Sequence, residues 1–413
     1  MLKRSNYDIL FIEGDTMLKF DFSTYVDSFI SDEELEELMK KKDTIFEKFN
    51  DDYMTGWTKQ IDDEVIKNII RVSEKIKSNS ECLVVIGIGG SFLGACAFQE
   101  MFSKYFNNDN FKVIFAGTTY SSKYMSELLE YLENVDFSLN VISKSGTTME
   151  TNITYGYIKD LMKKKYSVEE IKNRIIITTD KVKGKLREEV NSIGYESFEI
   201  ADDIGGRYSF MTPAHLLPLA LNYDLNKIVE GYYSGSDFIN TAYKYACIRN
   251  ILFKKGKYVE NFCVSEANMM YFQEWLKQLF GETEGKNGVG ILPMSTLYTR
   301  DLHSLGQFIQ EGNKIIFETF IKVDKSSDLK YEDSDLHSIN NLVLDSVMRA
   351  HNKGDVPCNV ITMDEVSLEN VSALMYFFML SAAFSGYLFG VDPFNQPGVE
   401  VYKEEVRNSL NKG

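Results

Sequence analysis

Proline, histidine and tryptophan are scarce in this chain, at 6, 4 and 2 of 413 residues. So few prolines exclude a polyproline or collagen-like architecture. The five cysteines, Cys82, Cys96, Cys247, Cys263 and Cys358, are spread singly with no C-x-x-C pair. That spacing fits no zinc site and points to a reduced compartment. Positive charge is in deficit, with 45 Lys and Arg against 61 Asp and Glu and a net charge of −16. The balance argues against a nucleic-acid surface, and any anionic substrate must find a locally positive pocket. No low-complexity segment appears. No export signal is expected, because Glu13 and Asp15 interrupt what would be the apolar core of a signal peptide. Val371 to Val391 carries no charge and is long enough to span a bilayer, but Ser372, Ser381, Ser385, Gly386 and Gly390 dilute it. A helix buried in a large domain is expected there.

What is present is enough apolar material, 44% of the residues, for two ordinary α/β domains or one large one. Residues 1 to about 80 read as mostly helical, with a capping box at Ser31-Asp32-Glu33-Glu34. From Cys82 the rhythm changes to short apolar runs separated by amphipathic segments. The runs Cys82 to Ile86, Val113 to Ala116, Leu139 to Ile142 and Ile175 to Thr178 predict a parallel sheet covered on both faces. A long helical stretch from about Ala214 to Lys255 precedes a looser alternation. Its predicted strands are Asn261 to Val264, Val289 to Leu292, Ile315 to Ile321 and Asn359 to Thr362. Ligands of such sheets sit at the carboxyl ends of strands, so the loops after Ile86 and Ile142 are where chemistry is expected.

Six constellations meet that expectation or could add to it. Ser143-Lys144-Ser145-Gly146-Thr147-Thr148 runs from a strand into a helical pattern and reads as a phosphate cradle or as an ordinary Ser/Thr helix cap. Gly87-Ile88-Gly89-Gly90-Ser91 fails the dinucleotide and P-loop fingerprints and leaves a sugar or phosphate loop. Gly205-Gly206-Arg207 sets an arginine on a glycine turn, able to stabilise developing negative charge or merely to lie beside a turn. Gln278 to Lys286 places Glu282 and Glu284 on a predicted loop after an amphipathic helix, where either could be a general base. Spacing does not rank them. His303, among polar residues and small turns, and the segment Asn395 to Lys403 complete the set, whereas His337 and His351 lie on helical patterns and look structural.

Taken in order, GIGGSFLG, SKSGTTMET, GGRYSFMTP, QLFGETEGK, DLHSLGQFIQEG and NQPGVEVYK closely resemble the motifs of bacterial-type glucose-6-phosphate isomerases, from about residue 80 to the C-terminus. The resemblance implies an α/β fold of two sugar-isomerase (SIS) type αβα domains with parallel-rich sheets, plus N- and C-terminal helical segments. The expected division is a helical segment over 1–75 packing on the second domain, a first domain over 76–222 and a second over 223–413. It implies a cytoplasmic homodimer with the active site between domains, completed by the neighbouring subunit. The substrate would be a sugar phosphate, with no metal, cofactor, nucleic acid or membrane. Carried over motif by motif, Ser143, Ser145, Thr147 and Thr148 resemble the phosphate loop, with Lys144 nearby and Gly90 and Ser91 lining the sugar site. Glu282 resembles the base that shuttles a proton between C2 and C1, and Arg207 the cation beside the enediolate. His303 and Lys403 resemble the pair assisting ring opening, and Gln278 and Gln396 polar sugar contacts. His215 stands where the family usually has glycine, which implies a local packing difference. A phosphosugar-binding regulator, an isomerase that also takes mannose 6-phosphate and an inactive copy with another role remain alternative readings.

Overall fold

The structure, a computed structural model, describes residues 17–106, 110–327 and 329–410. The N-terminal charges bearing on export lie outside them. The strands in chain order are β1 (Leu18–Tyr25), β2 (Cys82–Ile86), β3 (Lys112–Ala116), β4 (Phe137–Ile142), β5 (Ile175–Asp180), β6 (Glu196–Ile200), β7 (Val259–Val264), β8 (Leu292–Leu297), β9 (Ile316–Val323), the short β10 (Lys330–Tyr331) and β11 (Ser334–Asp335), and β12 (Cys358–Met363). The chain divides into a contiguous unit, Glu47–Tyr233, and a second unit built from the chain up to Phe46 and from Ser234 on. The expected boundaries at 75 and 222 therefore differ from the observed ones. Helix Asp63–Asn79 belongs with the contiguous unit, and the chain before Phe46 goes with the distant C-terminal part.

In the contiguous unit the sheet order is β3-β2-β4-β5-β6, and every neighbouring pair is parallel. The chain moves outward from β2 to β3 and then crosses back to β4, so the reversal falls between β2 and β4. All five residues of β2 are fully buried, as an unbroken apolar strand requires when both faces of its sheet are covered. Asn140 in β4 is tolerated in this interior because its Oδ1 accepts a hydrogen bond from the Thr178 hydroxyl at 3.0 Å. Strand β6 was not foreseen, since Glu196 to Ile200 alternates with polar residues and lies at the sheet edge.

The second unit carries the order β1-β12-β9-β7-β8, with β1 antiparallel to β12 and the other pairs parallel. Strand β1 corrects the mostly helical reading of the first 80 residues. In its sequence Leu18-Lys19-Phe20-Asp21-Phe22 apolar and polar residues alternate, and Leu18 and Phe22 are buried. Strand β8 begins at Leu292, where the expected strand Val289 to Leu292 ends. Residues Lys286 to Val289 instead close a turn, with the Val289 N–H donating to the Lys286 carbonyl at 3.0 Å. The single long helical stretch resolves into Pro213–Ala220, Leu225–Ser234 and Ile239–Lys254.

Helix Leu368–Phe389 is the candidate bilayer span, and it is a core helix, with 94% of its most apolar window buried inside the fold. Phe377, Phe378, Leu380 and Phe384 are each at most 1% exposed, and each such side chain contributes about 1.5–3 kcal/mol relative to exposure.

Candidate active site

The reversal falls between β2 and β4, and the carboxyl ends of the strands at such a reversal are the usual ligand position in a doubly wound sheet. Both suspected loops open from those two strands. After β4, Ser143 is buried and accepts the Gly146 N–H on its Oγ at 3.1 Å. The Ser145 Oγ accepts the Thr147 N–H at 3.2 Å and lies 2.8 Å from the Thr147 hydroxyl. Gly146 has φ +67°, and a Cβ there would come within 2.9 Å of the Leu186 backbone nitrogen, so only glycine fits this turn comfortably.

Thr148 occupies the N-cap of helix Met149–Lys165, yet its side chain makes no capping hydrogen bond. Its hydroxyl instead lies 3.3 Å from the Ser143 Oγ. Thr148 is therefore not an ordinary side-chain cap, and the first turn's N–H groups are left to other acceptors. Lys144 is exposed and pairs with Asp202 at 2.9 Å.

Gly90 and Ser91 follow β2 in a short 3-10 turn, and the next helix begins at Leu93. Arg207 sits on another 3-10 turn, Gly206–Tyr208. It is 2% exposed, with its guanidinium 5.6 Å from the Tyr208 ring centre. The two turns touch through their backbones. A Cβ added to Gly90 would lie 2.2 Å from the Gly206 carbonyl, so any side chain there would drive the turns apart.

In the second unit, Gln278, Glu282 and Glu284 all belong to helix Met270–Glu284, which corrects the loop placement of the two acids. Gly281 does not end the helix, and a Cβ on it would meet nothing nearer than Pro293 at 3.7 Å. The structure separates the acids that spacing could not rank. Glu284 is fully buried and ion-paired with Arg249 of helix Ile239–Lys254. Arg249 also binds Glu260 at 2.7 Å and donates to the Ser385 hydroxyl at 2.7 Å. Burial pushes the Glu284 carboxyl above the usual carboxylate range, and Arg249 opposes that rise. Glu282 lies on a half-buried face and accepts a 3.2 Å hydrogen bond from the Gln278 amide. No sequence signal pointed to Arg249, one of three cations in helix Ile239–Lys254.

His303 is exposed at the end of the 3-10 turn Arg300–His303. Gln396 is exposed just before helix Pro397–Leu410, and Lys403, exposed within that helix, pairs with Glu400 at 3.0 Å. The structural reading of the other two histidines holds. The Nδ1 of His351 lies 2.7 Å from Glu318 in the core, and the Nε2 of His337 lies 3.0 Å from the Val323 carbonyl. Among the described residues no group of three His, Cys, Asp or Glu could hold a metal ion.

Two units of this topology define the class, an α/β protein of sugar-isomerase type. A glucose-6-phosphate isomerase from Chlamydia trachomatis has the same fold, with a TM-score of 0.81 at 19% identity over 96% of this chain and 88% of that one. The family model described as phosphoglucose isomerase matches residues 72–279. Glucose-6-phosphate isomerase of Streptococcus thermophilus is 42% identical over 96% of both chains, and that of Clostridium tetani is 45% identical over 85% of both. The chain belongs to the phosphoglucose isomerase family.

Proposed function

We infer that this chain is an isomerase that interconverts glucose 6-phosphate and fructose 6-phosphate, a step of glycolysis and gluconeogenesis. The observation that carries the reading is the division of roles at the end of helix Met270–Glu284. One carboxylate, Glu284, is committed to Arg249 in the core, while Glu282 emerges on the half-buried face beside Gln278. A carbon acid next to a carbonyl needs such a carboxylate and a fixed cation near the developing enediolate. After ring opening, Glu282 takes the C2 proton of the aldose, a cis-enediol(ate) forms, and the same carboxyl returns the proton to C1. Arg207 stabilises the oxyanion. His303 and Lys403 move protons at the ring oxygen and the anomeric hydroxyl during ring opening. The phosphate rests on Ser143, Ser145, Thr147 and Thr148 with Lys144 nearby, and Gly90, Ser91, Gln278 and Gln396 contact the sugar.

The partner in this reading is a second copy of the chain. Exposed His303 and Lys403 support it, since ring-opening groups on the surface of one copy are available to a neighbour. The net charge of −16 supports the absence of a nucleic-acid partner, and the burial of the one long apolar helix among the described residues supports the absence of a membrane. Five cysteines, all free and buried, support a reducing, cytoplasmic location. The test is a coupled assay of glucose 6-phosphate formation from fructose 6-phosphate. Turnover is expected. Binding of fructose 6-phosphate without turnover would replace the isomerase by a phosphosugar-binding module.

A further inference from the structure

His215 is 1% exposed on helix Pro213–Ala220, and the reaction scheme leaves it without a role. Its ring bridges two segments of the contiguous unit. The Nδ1 accepts the Ala95 N–H at 3.0 Å, and the Nε2 lies 2.7 Å from the Gly90 carbonyl and 3.1 Å from the Ser209 Oγ. An amide N–H only donates and a carbonyl only accepts, so these neighbours select the neutral tautomer with its proton on Nε2. The Ser209 hydroxyl lies 2.6 Å from the Gly206 carbonyl and 3.0 Å from that of Gly90. Imidazole and hydroxyl together therefore tie the Gly90 turn to the Gly206–Tyr208 turn that carries Arg207. The ring also fills the space beside Gly94, where an added Cβ would meet it at 3.3 Å.

We propose that His215 is a positioning residue for the isomerisation, holding through the Gly90 carbonyl and Ser209 the backbone contact between Gly90 and Gly206 that fixes Arg207 in place. The proposal rests on the assignment of Arg207 to the enediolate. Burial lowers the pKa of the ring to about 4 against the opposing Gly90 carbonyl, so the ring stays neutral and the tie does not loosen at neutral pH. Displacing a preorganised charge by a fraction of an ångström lowers the rate of the chemical step and leaves ground-state binding nearly unchanged.

The test compares His215→Gln, His215→Asn and Ser209→Ala with the parent protein. A glutamine amide can reproduce the donor at the Nε2 position, whereas asparagine can reproduce only the acceptor at Nδ1. His215→Asn is expected to lower kcat about 10- to 100-fold with KM within about twofold, and His215→Gln to recover most of that loss. Ser209→Ala should lower kcat to a smaller degree, which keeps the question answerable if asparagine prevents folding. The same changes are made in an Arg207→Ala background, where the kcat effect should vanish. Equal kcat for the asparagine and glutamine variants, a loss carried by KM alone, or an unchanged penalty without Arg207 would each overturn the proposal. If Arg207→Ala itself leaves kcat intact, the role of Arg207 fails instead, independently of how the His215 variants behave.

Discussion

In the first sheet the strands flanking the order reversal, β2 and β4, run out into Gly87 to Ser91 and Ser143 to Thr148. In the second sheet the corresponding strands, β7 and β9, run out into Ser265-Glu266 and Asp324-Lys325. The order of the first four parallel strands is shared, with β2 and β7 each second from the edge, whereas the far edge is the parallel β6 in the first sheet and the antiparallel β1 in the second. Loop chemistry is not. Hydroxyls and glycines line the first exit, while carboxylates occupy the second, where Asp324 pairs with Lys19 and Lys325 pairs with Asp364, both at 2.8 Å. The second unit makes its proposed contribution elsewhere. Helix Met270–Glu284 runs back from the carboxyl end of β7 toward the amino end of β8, so Glu282 is delivered at the end of the helix. Topology selects where a ligand can lie, and side chains decide whether one does.

The largest expected effect tests the second unit's part. Glu282→Gln should retain fructose 6-phosphate binding and lower kcat in both directions by about 10²–10⁴-fold, the usual contribution of a general base; near-parental turnover would remove Glu282 from the role. In the first unit, Arg207→Ala should lower kcat about 10²–10³-fold, and a change confined to KM would reduce it to a ground-state contact. Next comes the loop comparison itself. Ser145→Ala with Thr148→Ala should raise KM for fructose 6-phosphate by about 10- to 100-fold, the worth of one hydrogen bond to a charged group at about 1.5–3 kcal/mol. Ser326→Ala with Ser327→Ala, after β9, should leave KM unchanged. Equal effects from the two pairs would erase the distinction between the sheets.

The last effect concerns stability. His215 titrates ordinarily near 6.5 and is lowered to about 4 by burial. A depressed histidine favours the neutral form in the folded state, so its contribution is complete above pH 6.5 and is lost as pH falls from 6.5 toward 4. The loss amounts to about 3 kcal/mol at most. Urea unfolding followed across that window should show a shallower pH dependence in His215→Gln than in the parent, and identical slopes would show that burial does not depress this group.

The first sheet was readable because its inner strands are rich in apolar residues: β2 and β4 were located to within two residues. Strands β1 and β6 were not, since both lie at sheet edges where alternation replaces the run. The proposed phosphate loop stands out in the sequence for a local reason, its hydroxyls lying together in the chain. Glu282 and Glu284 were legible as candidates but could not be ordered, because what separates them is Arg249, 35 residues before Glu284 and on another helix. His215 was noticed only as a departure from a pattern. Its three polar partners, Gly90, Ala95 and Ser209, come together through tertiary structure and have no shared sequence signature.

Strand β1 pairs with β12 across more than three hundred residues, for example Leu18 with Met363. The contiguous unit needs nothing outside Glu47 to Tyr233 to complete its sheet, whereas the other unit cannot close its sheet until Met363 has been made. A growing chain therefore carries an unpaired first strand for most of its synthesis, and closing so long a loop is slow even after release. The buried thiols report the order. On refolding, Cys82 and Cys96 should resist pulse alkylation before Cys263 and Cys358 do, and simultaneous protection would mean that the two sheets form in one step.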